Sequence, residues 1–552
     1  MKRIYRTILL LVIVILLLAL ILSFFAGNLI EAEVRAYLQK HPPRGFKIEF
    51  ENIGARLWSR TIKIKGINII STIDSLSPHK PGLEPESLKI KSVNLSGIRI
   101  IKAMMGKDFE IRKIEIINPR LSLLTEGSIF NAKGSIEKSK ETRSDTTHHK
   151  LFKSLEIGKF ILENGEVSVI DSINGKSLLS TAKIDLLLNE VSIDSALTVL
   201  NASEINIDFH ETSVTLPGDL YQLQFRFMQI VKHDSSIRID HAKLVPLYPQ
   251  YEFARVFGKQ TDRFSIEMQS LGIRGIQFDS LLALQRPLAR LVAIDSLHVS
   301  IFRDKNQPFD SSNYPKLPHE ALRTMKNPLT IEEVRINNGY VEYIEHEKDA
   351  EQPGMVYFDD INGSIVNITS DSSRISINPE LRVNARMMLY GKGQMEAIIK
   401  MPLNDPEDRF TFKAEIGSFE VREANRMITP GNMVDVAEGT INKLTLSGRA
   451  DRHLGKGNMT MLYQDLKIEL LRENRDGDLK RKWFMSAVAN EIVKSANPLR
   501  NQPARVVPMY FERDMNKGVI NFLWKTCYSG IKETLKPSRH REGSSKSKGT
   551  KK

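Results

Sequence analysis

Apolar and polar residues alternate with period two over most of this chain. TIKIKGINI from Thr61, SLKIKSVNLSGIRI from Ser87, EINIDF from Glu204 and SIRID from Ser236 all follow that rhythm. Each predicts a strand with one apolar face. One version of the pattern recurs: IEIINPRLSL from Ile114, FILENGEVSV from Phe160 and VRINNGYVEY from Val334. All three fit apolar-x-apolar-x-Asn-(Gly/Pro)-x-apolar-x-apolar, and each follows an isoleucine three places upstream, at Ile111, Ile157 and Ile331. Arg290 to Ile301 is a fourth, degraded version without Asn-Gly.

The spacing is odd between the two apolar halves, so plain alternation would send them to opposite faces. An Asn-Gly hairpin would place Leu162 opposite Val167, Phe160 opposite Val169, Ile336 opposite Val341 and Val334 opposite Tyr343. In the first copy, Ile114, Ile116, Leu121 and Leu123 flank Pro119, which cannot take the positive φ of such a turn, so a kink or bulge is expected there. Either device keeps one face apolar. A sandwich or coiled solenoid would bury that face, and a long, curved, open antiparallel sheet would offer it to acyl chains. Alternation is compatible with all three.

Helical signals sit at the ends. From Thr7 to Ile30 no residue is charged, enough for roughly 20 apolar residues to cross about 30 Å of hydrocarbon. Phe24 and Phe25 stand where cleavage would want small residues, which favours a retained anchor. Lys2, Arg3 and Arg6 would hold the N-terminus in the cytoplasm. At the other end Ile520, Leu523, Trp524, Cys527, Ile531 and Leu535 have helical spacing and predict one apolar helix face. That helix is expected either to plug the end of the sheet or to dock on a membrane interface or partner. The expected organisation is a basic start over 1–6, an anchor over 7–30 and a helical stalk over 31–43. A sheet domain follows over 44–515, with polar loops or linkers near 126–150 and 304–327 and a short helix at His319 to Lys326. An amphipathic helix over 516–535 and a disordered basic tail over 536–552 complete it. Further strands are expected at Asp465 to Leu471 and Trp483 to Val493.

The net charge of +13 invites a nucleic-acid reading, but its location removes it. Three charges precede the apolar run and six lie beyond Leu535, leaving +4 across the rest. Cys527 is the only cysteine, which excludes an intramolecular disulfide and a cysteine zinc cage. His319-Glu320 and His346-Glu347 lack the second histidine of a zinc helix, since Arg323 and Ala350 occupy those places. His148-His149 sits in a polar loop. GKGQM at Gly391 and GKGNM at Gly455 are not phosphate loops and read as strand starts, and Asp359-Asp360 reads as a turn. No metal, cofactor or catalytic residue is expected, and enzymatic function is disfavoured.

Strands such as IRKIEIINPRLSLL, then PLTIEEVRINNGYVEYIE, GSFEVREANRMITPGNMVDVAEGTINKLTLSGRAD and GKGNMTMLYQDLKIELL, behind a basic start and one apolar run, resemble the AsmA-like family of bacterial envelope proteins. The closing YFERDMNKGVINFLWKTCYSGIKETL is similar to Bacteroidetes-type members. The resemblance covers most of the chain except Asp171 to Pro287 and rests on degenerate repeats. It implies a mostly β fold: an inner-membrane anchor, a periplasmic half-pipe groove grouped with TamB and bridge-like lipid-transfer proteins, and a role in phospholipid movement and outer-membrane integrity. The expected partners are membrane phospholipids, with envelope or outer-membrane proteins as the rival reading, in which the chain is an assembly factor.

Overall fold

A computed structural model describes residues 28–536 apart from 41–42, 44, 57–59, 73–82, 100–107, 128, 130–153, 195–199, 285, 433, 474–478 and 482–492. The topology-setting residues Lys2, Arg3 and Arg6, most of the expected anchor, most of the 126–150 loop, the strand from Trp483 and the tail after Lys536 lie outside the described residues. Among the described residues no helix is long and apolar enough to cross a membrane. The fold is mostly β, 60% strand and 14% helix, built on an open mixed sheet. Two compact units make up the chain: Met1–Pro249 with Phe264–Ser296, and Gln250–Arg263 with Leu297–Lys552.

The first unit contains β1 (Phe46–Glu49), β2 (Asn52–Arg56), β3 (Thr61–Ser71), β4 (Glu84–Ile98), β5 (Asp108–Thr125) and β6 (Ser154–Asp171). It continues with β7 (Ser177–Asp194), β8 (Leu200–Asn201), β9 (Glu204–Thr215), β10 (Tyr221–Val231), β11 (Ser236–Pro246) and most of β12 (Asp262–Arg274). β1 and β2 both pair with β3, and from there the order runs β4, β5, β6, β7, β9, β10, β11, β12. All of these pairings are antiparallel except β5–β6, which is parallel and corrects the expectation of a wholly antiparallel sheet. The long polar segment after Thr125 supplies the crossover that a parallel pair requires. The β5–β6 register sets Ile111 opposite Ile157, Ile114 opposite Phe160 and Leu121 opposite Val167. The first two repeats therefore lie side by side in matching register.

The repeat is not a hairpin. Each copy is one continuous strand with a left-handed residue in the middle: Asn118 (φ 51°), Asn164 (φ 52°) and, in the second unit, Asn338 (φ 51°). Val167 and Leu162 belong to the same strand and face Thr181 and Leu186 of β7 instead of each other. The positive φ belongs to the asparagine, which tolerates it best after glycine, so Pro119 in the following position is compatible. Glycine is needed there for space in the other two copies. A Cβ on Gly165 would lie 2.7 Å from Leu162 Cδ2, and one on Gly339 would lie 3.2 Å from Ile336 Cγ2. The strained amide is held from the next strand: Asn164 N–H donates to Asp185 Oδ1 (2.8 Å), and Asn338 N–H to Asn362 Oδ1 (3.2 Å).

These positions form lines across the first sheet. Register places Gly66 (φ 60°) of β3, Lys91 of β4, Asn118 and Asn164 in one row. The row continues through Glu211 (φ 44°), Arg226 and His241 (φ 52°). A second crease runs through Gly97, Arg112, Gly158 and Glu190. It explains the isoleucine three places before the first two copies, because the strand flips there too. The degraded fourth copy carries the same device at Ser296 (φ 53°) in β13 (Leu288–Asp304).

In the second unit the described ladder begins at β14 (Thr330–His346) and runs through β15 (Gly354–Thr369), β16 (Glu380–Leu389), β17 (Gly393–Pro402) and β18 (Phe410–Ile416). β18 and the short β19 (Phe419–Glu420) pair with β20 (Val434–Ala450). β21 (Leu454–Glu473) follows, with β22 (Leu479–Arg481) and β23 (Val507–Glu512) against it. Asp359-Asp360 is not a turn: it lies inside β15, where Asp360 (φ 46°) sits next to the register shift opposite Gly339. The 304–327 segment is not a free linker. Its helix spans Pro318–Arg323, and Leu317 is completely buried in the second core. The helix expected as a stalk spans Asn28–Lys40 and is docked, with Val34 buried in the first core and Arg35 donating to the Phe50 and Glu51 carbonyls.

Gly165→Ala is expected to accelerate native-state amide exchange in β6 at least about tenfold, an overpacking cost of about 1–3 kcal/mol. Asn164→Gly, which accepts the same φ, should leave exchange unchanged.

Candidate functional site

Tracing the register across the first unit gives one row of apolar side chains through nine strands. Ile64, Val93, Ile116, Leu162, Leu186, Ile207, Ile230, Ile237 and Ile273 face one another in succession. Across the crease a second row runs Leu88, Leu121, Val167, Thr181, Thr212, Phe225, Ala242 and Met268. In β10 the apolar set changes parity from Leu223 and Phe225 to Met228 and Ile230 as it crosses the line. The creases thus keep a single apolar face where strict alternation would have broken it.

Burial changes along the rows. Ile64, Val93 and Ile116 are buried in a packed cluster with Val34, Phe50 and Ile53. From β6 onward Leu162, Leu186, Ile207, Ile230, Ile237 and Ile273 are only half-buried. Of the sequence-derived candidates in this unit, Ile114, Ile116, Leu123 and Val169 are buried, while Leu121, Phe160, Leu162 and Val167 are half-buried. Ile114 and Ile116 are therefore filled in by protein, because the docked N-terminal helix and the short first strands belong to the same cluster. The half-buried portion of the first row crosses six strands, about 24 Å at ~4.8 Å per strand, longer than the ~15 Å of one leaflet in a 30 Å hydrocarbon core.

The second unit repeats the design. Val334, Ile365, Val383, Ile399 and Phe412 form one row, and Ile336, Gly363, Ala385, Ala397, Ala414, Leu446 and Met459 the next. Val334, Ile336, Val341 and Tyr343 are half-buried, whereas Phe412, Leu446 and Met459 are fully packed. Beyond Tyr343 the face becomes charged, a feature missed in the sequence although Glu345 occupies the next place in the alternation. Tyr343 donates to Glu345 Oε2 (2.5 Å), and Lys305 bridges Glu345 (2.7 Å) and Glu347 (2.6 Å). Burial pushes the Glu345 carboxyl up, but the hydrogen bond from Lys305 and then that from Tyr343 outweigh it, so it stays below its ordinary range.

The C-terminal helix spans Val519–Leu535 and packs on β21 and β23. Its fully buried face is Phe522, Thr526, Gly530 and Thr534, a set that sequence spacing missed because three of the four are small or polar. Thr526 and Thr534 satisfy their hydroxyls on the carbonyls one turn back, 2.8 and 2.9 Å away, which makes them acceptable in the interior. Of the expected apolar face, Leu523, Cys527, Ile531 and Leu535 are half-buried against the core, while Ile520 and Trp524 are exposed. Burial pushes the Cys527 thiol up to about 11, so it is a packing group and not a reactive thiolate.

The chemistry-bearing cluster nearest to an active site in appearance is structural. Asp408 is completely buried and accepts from Arg323 (2.6 Å) and Arg452 (2.6 Å). Arg513 donates to the Pro315 carbonyl (2.5 Å), so the arginines tie the 304–327 segment to the core. His319, also completely buried, lies 3.8 Å from Asp408, and neither ring nitrogen is within hydrogen-bond distance of a partner. Among the described residues no group of His, Cys, Asp and Glu is placed to hold a metal ion.

No protein-family model matches the chain, and no curated protein matches it.

Burial pushes the Asp408 carboxyl up, but the hydrogen bonds from Arg452 and Arg323 more than offset this, leaving it below its ordinary value. Its contribution is present above the unfolded value of about 3.9 and is lost as pH falls through the lower folded value. Asp408→Ala should destabilise the second unit by about 3–5 kcal/mol in urea unfolding at neutral pH, because Arg323 and Arg452 lose their common anion. Burial holds His319 below its ordinary value. The unfolded imidazole then takes a proton that the folded one refuses, so stability falls as pH drops below about 6.5. His319→Leu should flatten that part of the pH profile while retaining the Asp408 part at lower pH.

Proposed function

We propose that this chain is a membrane-anchored, non-enzymatic lipid-handling protein of AsmA-like type, and that its half-buried apolar rows form a trough for phospholipid acyl chains. One observation carries the reading: an apolar row in register across nine strands is buried in β3 to β5 and incompletely buried over the remaining six, of which Leu186 still touches the packed cluster. A soluble protein rarely leaves so long a contiguous apolar surface uncovered, and a non-directional apolar ligand is what such a surface recognises. The sequence resemblance, the uncharged segment from Thr7 to Ile30 and the basic residues before it support the same reading. On this reading the anchor lies in an inner membrane and the sheet in the periplasm. The charged ladder at Lys305 and Glu345 would then mark where acyl contact ends and polar head groups begin.

The test uses full-length protein and a phospholipid with a photoactivatable acyl chain, with adducts mapped by peptide mass spectrometry. Adducts are expected on β7, β9, β10 and β14. Phe160→Asp and Ile336→Asp should each reduce labelling of the surrounding strands at least about tenfold, since a lone carboxylate under an acyl chain costs several kcal/mol. Labelling absent from these strands, or unchanged in both variants, would reject the trough.

A further inference from the structure

The helix Val519–Leu535 presents a second face that the core does not use. Ile520, Trp524 and Tyr528, spaced four residues apart, are 76%, 53% and 37% exposed. They form one stripe, in which the Trp524 and Tyr528 rings stack with centroids 5.8 Å apart. Lys525 and Lys532 lie beside it, their ammonium groups 5.8 and 4.9 Å from the Tyr528 ring centroid. Glu533, the acidic residue within this helix, is engaged by Lys536 at 2.6 Å. The opposite side is fixed: a Cβ on Gly530 would lie 2.7 Å from Met509 Cγ, so the helix cannot roll to bury the stripe. The sequence from Lys536 to Lys552 then adds seven lysines and arginines against one glutamate.

We propose that this stripe, with Lys525 and Lys532 beside it, forms a docking surface for an anionic phospholipid bilayer. The charge decides the partner. Tryptophan and tyrosine settle at the apolar–polar boundary of a bilayer, and lysines lie along the apolar surface with their ammonium groups in the head-group layer. Positive charge on Lys525 and Lys532, and the basic sequence that follows the helix, favours anionic lipid, as in interfacial amphipathic helices. The proposal concerns binding to a membrane surface, is independent of the acyl-chain trough, and does not require lipid to occupy the sheet.

Full-length protein held in neutral phosphatidylcholine nanodiscs is mixed with separate vesicles, either of phosphatidylcholine alone or containing phosphatidylglycerol, and recovered by flotation. Recovery is expected with phosphatidylglycerol only, falling as salt is raised. Trp524→Asp and the pair Lys525→Glu, Lys532→Glu should each lower it about tenfold. All three side chains are exposed, so circular dichroism should be unchanged and a folding defect would be visible separately. Undiminished recovery in these variants, equal recovery on neutral vesicles, or no recovery at all would overturn the proposal. Dimerisation dependent on Trp524 in place of vesicle binding would assign the stripe to a second copy of the chain.

Discussion

The rest of the structure depends on a backbone constraint: the left-handed residue placed in the middle of a long strand. Strands of 17 or 18 residues such as β5, β6, β7 and β14 would each have two usable faces if alternation ran unbroken. One positive φ shifts the alternation by a place and raises the local twist, so both halves of the strand turn apolar side chains to the same side. Each such residue costs roughly 1–2 kcal/mol unless it is glycine, or less for asparagine. Asparagine and glycine take several of these places, while Glu190, Glu211 and His241 bear the larger penalty. They are held because the ladder continues in register on either side of them.

Because the creases align from strand to strand, apolar rows become continuous surfaces and not isolated patches. Each unit then closes one end of its rows and leaves the other half-exposed. In the first, the helix Asn28–Lys40 shares a cluster that reaches from β1 to Leu188, Val191 and Ile193 of β7. In the second, Phe522 and β23 share one with β20 and β21 that reaches back to Leu381 of β16 and Met401 of β17. The half-buried strands from β6 to β12 are paired to their neighbours by backbone hydrogen bonds, so what they lack is cover for side chains. A ligand without polar requirements suits that deficit, and one needing converging donors and acceptors does not.

Much of this was legible in the letters. Period-two runs placed β3, β4, β9 and β11 correctly, and GKGQM and GKGNM do sit at the starts of β17 and β21. The single apolar face followed from the odd spacing around Asn118, Asn164 and Asn338. The hairpin reading failed because Asn-Gly has the same signature in a two-residue turn and in a mid-strand bulge, and only the partner strand distinguishes them. The parallel β5–β6 pair was hidden for a related reason: local alternation carries no information on strand direction, although the equal spacing of the first two repeats encodes their register. The buried face of the last helix was invisible to hydropathy. Gly530 lets the helix approach Met459 and Met509 closely, and Thr526 lies against Gly455 of β21, contacts that hydropathy does not register.

The Asp408 knot belongs to the same argument. A sheet that leaves half its apolar face uncovered forgoes burial worth about 25 cal/mol for each Å², and that stability has to come from the closed end. Asp408 gathers Arg323 and His319 from the 304–327 segment and Arg452 from the β20–β21 turn. A buried ion pair is a weak source of net stability but a strong source of specificity, because each partner left alone is heavily penalised. Here it fixes where the 304–327 segment docks, with Leu317 and Leu322 in the same core as Leu381 of β16 and Met401 of β17.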